Sequence, residues 1–206
     1  MKDHGHYIAS PVADGDYVVG AGEKLELFFF VRPGEDRDIT VRVHLTAPGA
    51  SVSLAGIYLL SGSEKVSIRT EIYHEAGGCT STQLFNGIAG GNARASFYGR
   101  IIVAPGADST DAAQTNHNIL LTPEAKVDTR PQLEIYADDV KCVHGATVGN
   151  LNEDELFYMR SRGIPEDEAK VLQMISFASP VLEMLGDAQE RERTAEEVEK
   201  AIRKML

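Results

Sequence analysis

A chain of 206 residues with 43% hydrophobic and 25% charged residues has the make-up of a globular protein that can bury a proper core. A net charge of −11, with no Lys/Arg block to displace counterions from phosphates, excludes an ordinary nucleic-acid binder. No apolar run reaches bilayer length and the start MKDHGHYIASP lacks the apolar middle of a signal peptide, so the expectation is a cytoplasmic chain with no membrane partner.

Up to about Gly149 the chain reads as β-structure. Asp14-Gly15 precedes the main set of strands. Segments of alternating or β-branched character then recur at 25–31, 39–45, 51–60, 66–73, 80–88, 93–103, 116–121, 133–136 and 140–144. In Ile39-Thr40-Val41-Arg42-Val43-His44-Leu45 the odd positions are apolar and the even ones polar, the period of a half-buried strand. The separators (Pro48-Gly49, Ser61-Gly62-Ser63, Gly77-Gly78, Gly90-Gly91-Asn92, Pro105-Gly106) supply turn residues. Many short strands with few tight hairpins fit a sandwich or a coiled β-solenoid, and periodicity does not choose between them. No clean sequence repeat is present, so a solenoid would be irregular.

From Asn152 the pattern becomes helical. Asn152 with Glu155 makes a capping-box arrangement, Leu156, Phe157, Met159 and Arg160 follow, and Gly163 supplies a stop. Pro165 opens a second helix with Glu166, Asp167 and Glu168 in its first turn. Its apolar set is Val171, Leu172, Ile175 and Ala178, and Ser179-Pro180 kinks or ends it. Thr194 with Glu197 caps a last helix over 195–205, with Val198, Ile202 and Met205 on one stripe. The expected organisation is a β-core over 1–150 and a helical module over 151–206.

The two cysteines, Cys79 and Cys142, are far apart and expected to be reduced thiols, although spacing leaves a disulfide between them open. Cys142 and His144 stand at i and i+2, so on a strand both leave the same face and can share a metal or polarise one another. Two ligands are too few for a closed zinc site, and a structural cysteine beside a surface histidine explains the spacing as well. His4 and His6 repeat the pattern near a chain end. His44 and His74 are expected to be solvated, and the amides around His117 to satisfy turn backbone or stack as ladders. The Gly87…Gly90-Gly91 segment has no following Lys-Ser/Thr, and no serine sits in a nucleophile elbow. The residues alone give no convincing active site. On 154–162 the aromatics and arginines fall on shared helix faces, Phe157 with Arg160 and Tyr158 with Arg162. Protein interfaces are enriched in such residues, though Leu156 and Phe157 could equally pack on the β-core.

Four ordered segments resemble the SufB/SufD scaffold proteins of the SUF iron–sulfur cluster assembly system. They are Asp111-Ala112-Ala113-Gln114-Thr115-Asn116, the run PQLEIYADDVKC from Pro131 to Cys142, His144-Gly145-Ala146-Thr147-Val148-Gly149, and LFYMRSRGI from Leu156 to Ile164. The wording around Cys142 and His144 is SufD-like. SufB-like members place a glutamate where this chain has Gly145, and an assembly cysteine in the preceding segment, where Leu121–Lys126 has none.

The resemblance implies a mainly β fold, a right-handed parallel β-helix followed by C-terminal helices. Family members are usually longer, with an N-terminal helical region and more β-helix before this part. The resemblance further implies a non-catalytic scaffold subunit that pairs with a SufB-like subunit and docks a SufC-type ABC ATPase. His144 and Cys142 would then lie where a transient iron–sulfur cluster is built. Leu156, Phe157, Tyr158, Arg160, Arg162 and Gly163 would contribute to ATPase docking. A SufD-like homodimer is a further partner expectation. The expectation from another class is a β-solenoid polysaccharide-active enzyme, which 7% aromatic residues and no tryptophan disfavour.

Overall fold

The structure, a computed structural model, describes residues 5–8 as backbone and residues 14–206 in full. The expectations for His4 and His6 concern side chains outside the described residues. Among the described residues eleven strands run β1 (Gly5–Ile8), β2 (Gly15–Val19), β3 (Lys24–Val31), β4 (Arg37–Leu45), β5 (Ser51–Leu60), β6 (Lys65–His74), β7 (Thr80–Ala89), β8 (Arg94–Val103), β9 (Thr110–Leu120), β10 (Lys126–Ile135) and β11 (Val140–Gly149). All pairings are parallel, and consecutive strands alternate between two sheets, β1-β3-β5-β7-β9-β11 and β10-β8-β6-β4-β2. This is a parallel β-helix of about five coils. Ser51 faces Thr80, and Thr80 faces Asp111, so one coil takes about thirty residues.

The differing grammar of the strands follows from what covers each face. β4, β6 and β8 alternate because one side faces the lumen and the other faces water: Val41, Val43 and Leu45 are fully buried. By contrast, β3 and β5 are apolar almost throughout. Their inward side chains Leu27, Leu54 and Tyr58 fill the lumen, while outward Phe28, Phe30, Ile57 and Leu59 form a second core under the helices.

Those helices are α1 (Glu153–Ser161), α2 (Glu166–Leu182) and α3 (Ala188–Ile202). Asn152 caps α1 as expected, its side chain accepting from the Asp154 and Glu155 amides and its amide group donating to Glu155. Gly163 takes φ +87° behind it.

Four expectations are corrected. The buried stripe of α2 is Val171, Met174, Ala178 and Val181, while Leu172 is exposed and Ile175 only half-buried; the two residues differ from the buried set by one helical step. α2 runs through Pro180 to end at Leu182, because a proline this close to the helix end removes few ladder bonds. α3 is capped by Asp187, which accepts from the Glu190 amide at 2.7 Å; Thr194 lies inside the helix and is buried. β9 and β10 begin earlier than their apolar character suggests. β10 tolerates Pro131 mid-strand because it is the edge of its sheet.

Candidate functional site

β10 and β11 are the last strands of their sheets, so the solenoid ends in an uncapped coil. The in-register stacking places Cys142 against Ala112, His144 against Gln114 and Ala146 against Asn116. Ala112, Gln114 and Asn116 are wholly buried lumen residues, so Cys142 and His144 leave the terminal coil on its inner face. With no further coil above them, Cys142 is half-buried and His144 exposed. Burial, and after it the charge of Asp111, pushes the Cys142 thiol above its ordinary value. A protonated thiol is a poor ligand by itself, so metal binding here must displace its proton.

Cys79 is a free thiol on a lower coil, fully buried, with Sγ 3.2 Å from the Ala47 carbonyl oxygen. Burial pushes its thiol up as well. Cys142 is likewise free. Among the described residues no group of three potential metal-ligating side chains comes together. Cys142 and His144 are donor types that iron–sulfur clusters accept.

The other histidines do not join them. His44 stacks on Tyr73 at 4.5 Å and contacts Glu75 at 2.6 Å. His117 contacts the Thr147 hydroxyl at 2.8 Å. His74, expected in solvent, is fully buried: its inward position in β6 puts the ring in the lumen, Nε2 lies 2.8 Å from Ser81 Oγ, and burial lowers its pKa to about 4.

The terminal coil also exposes apolar side chains that reading for chemistry passed over. Ile135, Tyr136, Val143 and Val148 are all on or beside β10 and β11, with Val143 55% and Tyr136 61% exposed. Their signal is in the sequence, since the last apolar strands of a solenoid lack a coil to cover them. A buried polar network was also missed. Tyr58 donates to Asn118, Asn118 Nδ2 donates to Asn116 Oδ1 at 2.8 Å, and Asn116 Nδ2 reaches the Phe85 carbonyl at 3.1 Å. Burial pushes the Tyr58 hydroxyl pKa far up. Gln114, Asn116 and Asn118 stand at i, i+2 and i+4, which by strand period is one inward polar face; they line the lumen and do not belong to a turn.

α1 presents the second surface. It has no buried residue. Leu156 and Met159 are half-buried toward α2, whereas Phe157 is 73% and Tyr158 59% exposed. The Arg162 guanidinium lies 5.4 Å from the Tyr158 ring centre, and Arg160 pairs with Glu166 at 3.4 Å. A cleft lined by Asn118, Thr147, Asn152, Met159 and Phe177 separates α1 and α2 from the end of β11.

A family model described as "SUF system FeS cluster assembly, SufBD core domain" matches residues 17–177. The chain belongs to the SufBD family. It is 47% identical over 125 residues to the iron–sulfur cluster assembly protein SufD of Escherichia coli, a match covering 61% of this chain and 30% of that protein. A SufBD family protein of Synechocystis is 41% identical over 105 residues, covering 51% and 23%. A chloroplastic protein of Arabidopsis thaliana is 33% identical over 159 residues, covering 77% and 34%. The chain therefore spans about a third or less of the length of these relatives. No helix of the described residues is long and apolar enough to cross a membrane.

Proposed function

We propose that this SufBD chain is a SufD-like, non-catalytic scaffold subunit for iron–sulfur cluster assembly, working in the cytoplasm. The observation that carries the proposal is the open terminal coil. It combines two free sheet edges, a row of exposed apolar side chains and two inward cluster-ligand types, Cys142 and His144. An uncovered, apolar strand edge is a template for pairing with another chain, and a soluble complex covers it. A SufB-like subunit seated there would close the coil and supply the remaining ligands. The nascent cluster is cargo at this joint, held briefly by Cys142 and His144 from one side and by the partner from the other.

α1 is the second contact. Phe157 and Tyr158, with Arg160 and Arg162, form an aromatic and cationic face of the kind that anchors protein interfaces. A SufC-type ABC ATPase docks on it and supplies ATP hydrolysis. Co-purification with a SufB-like subunit and a SufC-type ATPase tests the proposal. A stable complex, with iron and sulfide loaded under anaerobic reconstitution, is the expected result. Failure of the folded chain to bind either partner overturns it. Light scattering of the chain alone separates this from a homodimer closed on the same edge.

A further inference from the structure

The helices cover the outside of the odd-numbered sheet only: the core they share takes side chains from β3, β5 and β7 and none from β4, β6, β8 or β10. The bare outer face of the second sheet carries a column of like charges. Lys65 faces Arg94 and Arg94 faces Lys126, at the first positions of β6, β8 and β10, and all three are exposed. Neighbouring strands lie about 4.8 Å apart, so the three cations stand in a row about 10 Å long. Arg69, four residues further along β6, is also exposed and lies 4.4 Å from the centre of the Tyr98 ring.

Like charges directly opposite one another across strands are destabilising. The same face shows the alternative, since Arg42 faces Glu71 and Glu71 faces Arg100, with the signs alternating. Most Lys and Arg side chains of the described residues reach a carboxylate. Lys65, Arg69, Arg94 and Lys126 reach none among the described residues, although the chain has a net charge of −11. Lysine on an edge strand guards it against stray pairing, which accounts for Lys126 on β10. Lys65 and Arg94 stand on interior strands and need no such guard.

A shallow groove of about 450 Å³ runs over this corner, where Ser67 and Ser96 flank Lys65 and Arg94. Its β4 end is acidic. Asp36 accepts from the Lys65 backbone amide at 2.7 Å, and Asp38 faces Ser67. The cationic stretch therefore runs from β6 toward β10 and stops at β4.

We propose that this column docks an acidic α-helix of a partner protein, laid across β6, β8 and β10. The spacing selects a helix. Carboxylates at i, i+3 or i+4 on a helix face recur every 5–6 Å or so, close to the step of the column. On an extended segment, same-face residues recur about every 6.7 Å and fall out of step. Charge complementarity of this kind sets register and speeds encounter more than it adds affinity. This surface is separate from the terminal coil and from α1, so it stands whether or not those contacts are as proposed above.

The test titrates the ¹⁵N-labelled full chain with a blocked, alanine-rich peptide of about 18 residues carrying glutamate at every fourth position, at low salt. Amide signals of 65–67, 94–96 and 126 should move, and those of α1 and β11 should not. Lys65→Gln combined with Arg94→Gln should weaken binding about fivefold to tenfold. Arg130→Gln removes a cation of the same face that Asp128 already holds, and should change binding less than about twofold. A peptide of the same charge whose helix is broken by two prolines should bind several-fold more weakly.

A second measurement needs no peptide. Arg94 has a cation on either side, so Arg94→Gln should raise the urea midpoint at low salt, with the gain vanishing near ~1 M salt; Arg94→Lys should leave it unchanged. A lowered midpoint in Arg94→Gln would show that the column serves the fold, and would overturn the inference. Equal peptide binding by the wild type and the Lys65→Gln, Arg94→Gln chain, or equal binding of the proline peptide, would overturn it too. So would displacement of the peptide by inorganic phosphate at an ionic strength matched with chloride, which marks a small-oxyanion site. Self-association of the wild type that Lys65→Gln with Arg94→Gln abolishes would assign the surface to a second copy instead.

Discussion

Arg100 on β8 holds Glu134 on β10 through two parallel N–H···O bonds, Nε to Oε1 and Nη2 to Oε2, each 2.7 Å. They are not direct register partners, since Arg100 faces Gln132, so the clasp slants from the edge strand β10 to its neighbour β8. The guanidinium holds the Glu134 carboxyl below the usual carboxylate range. Both side chains are 30% exposed, so the pair matters more for anchoring an edge strand than for global stability. Arg100→Ala should speed amide exchange across 126–135 while leaving β6 protected and the melting temperature nearly unchanged. Because the folded carboxyl is depressed, its contribution is present above the ordinary glutamate range and lost as pH falls through the folded value. The exchange difference between wild type and Glu134→Gln should therefore vanish on acidification.

His74 gives a second pH dependence. Burial lowers its folded pKa to about 4, so the unfolded chain binds a proton that the folded chain does not. Stability should be full above the ordinary histidine range and fall as pH drops toward about 4, with a loss on the order of 3 kcal/mol. Urea melts across that window check it. His74→Leu should flatten this part of the profile, and an unchanged slope would place the titration elsewhere.

Gly99 is required by its neighbour across the lumen. A methyl there would come within 2.1 Å of Gln114 Nε2, so Gly99→Ala should cost about 1–3 kcal/mol. Combined with Gln114→Ala, the loss should be clearly smaller than the sum of the two single variants, because the second change vacates the space the methyl needs. A double-mutant cycle by urea denaturation measures the coupling.

Phe157 is the residue to probe on α1. At 73% exposed and with no buried neighbour on its own helix, Phe157→Ala should shift stability by less than about 0.5 kcal/mol. Its effect on affinity for a SufC-type ATPase should be at least about tenfold if it is an anchor. Calorimetric titration with that ATPase separates the two quantities.

The strands were legible wherever one face meets water. β4 and β6 show it by alternation, and β5 by an apolar run whose two faces are both covered. That they wind into a parallel β-helix was legible only by resemblance, because alternation reports the face of a strand and not its neighbour. Helix starts were read well at Asn152, where cap and first turn agree. They were misread at Thr194, because Asp187-x-x-Glu190 offers a competing cap seven residues earlier and Thr194 has a place in the core. At the site, the i, i+2 spacing correctly put Cys142 and His144 on one face. It could not say that this face is the lumen of an uncapped coil. Nor could it show that Gln114 lies beneath His144, because that neighbour comes from register thirty residues away.

The most direct test of the scaffold account is anaerobic reconstitution of the chain with its SufB-like and SufC-type partners, counting iron and sulfide per complex. The wild type and Cys79→Ala should load alike, since the Cys79 thiol is sealed in a lower coil. His144→Ala should lose most of the cluster, and Cys142→Ala should lose part of it, with the complex still assembled in each case. Equal loading in His144→Ala and wild type, or equal loss in His144→Ala and Cys79→Ala, would contradict a cluster site on the terminal coil.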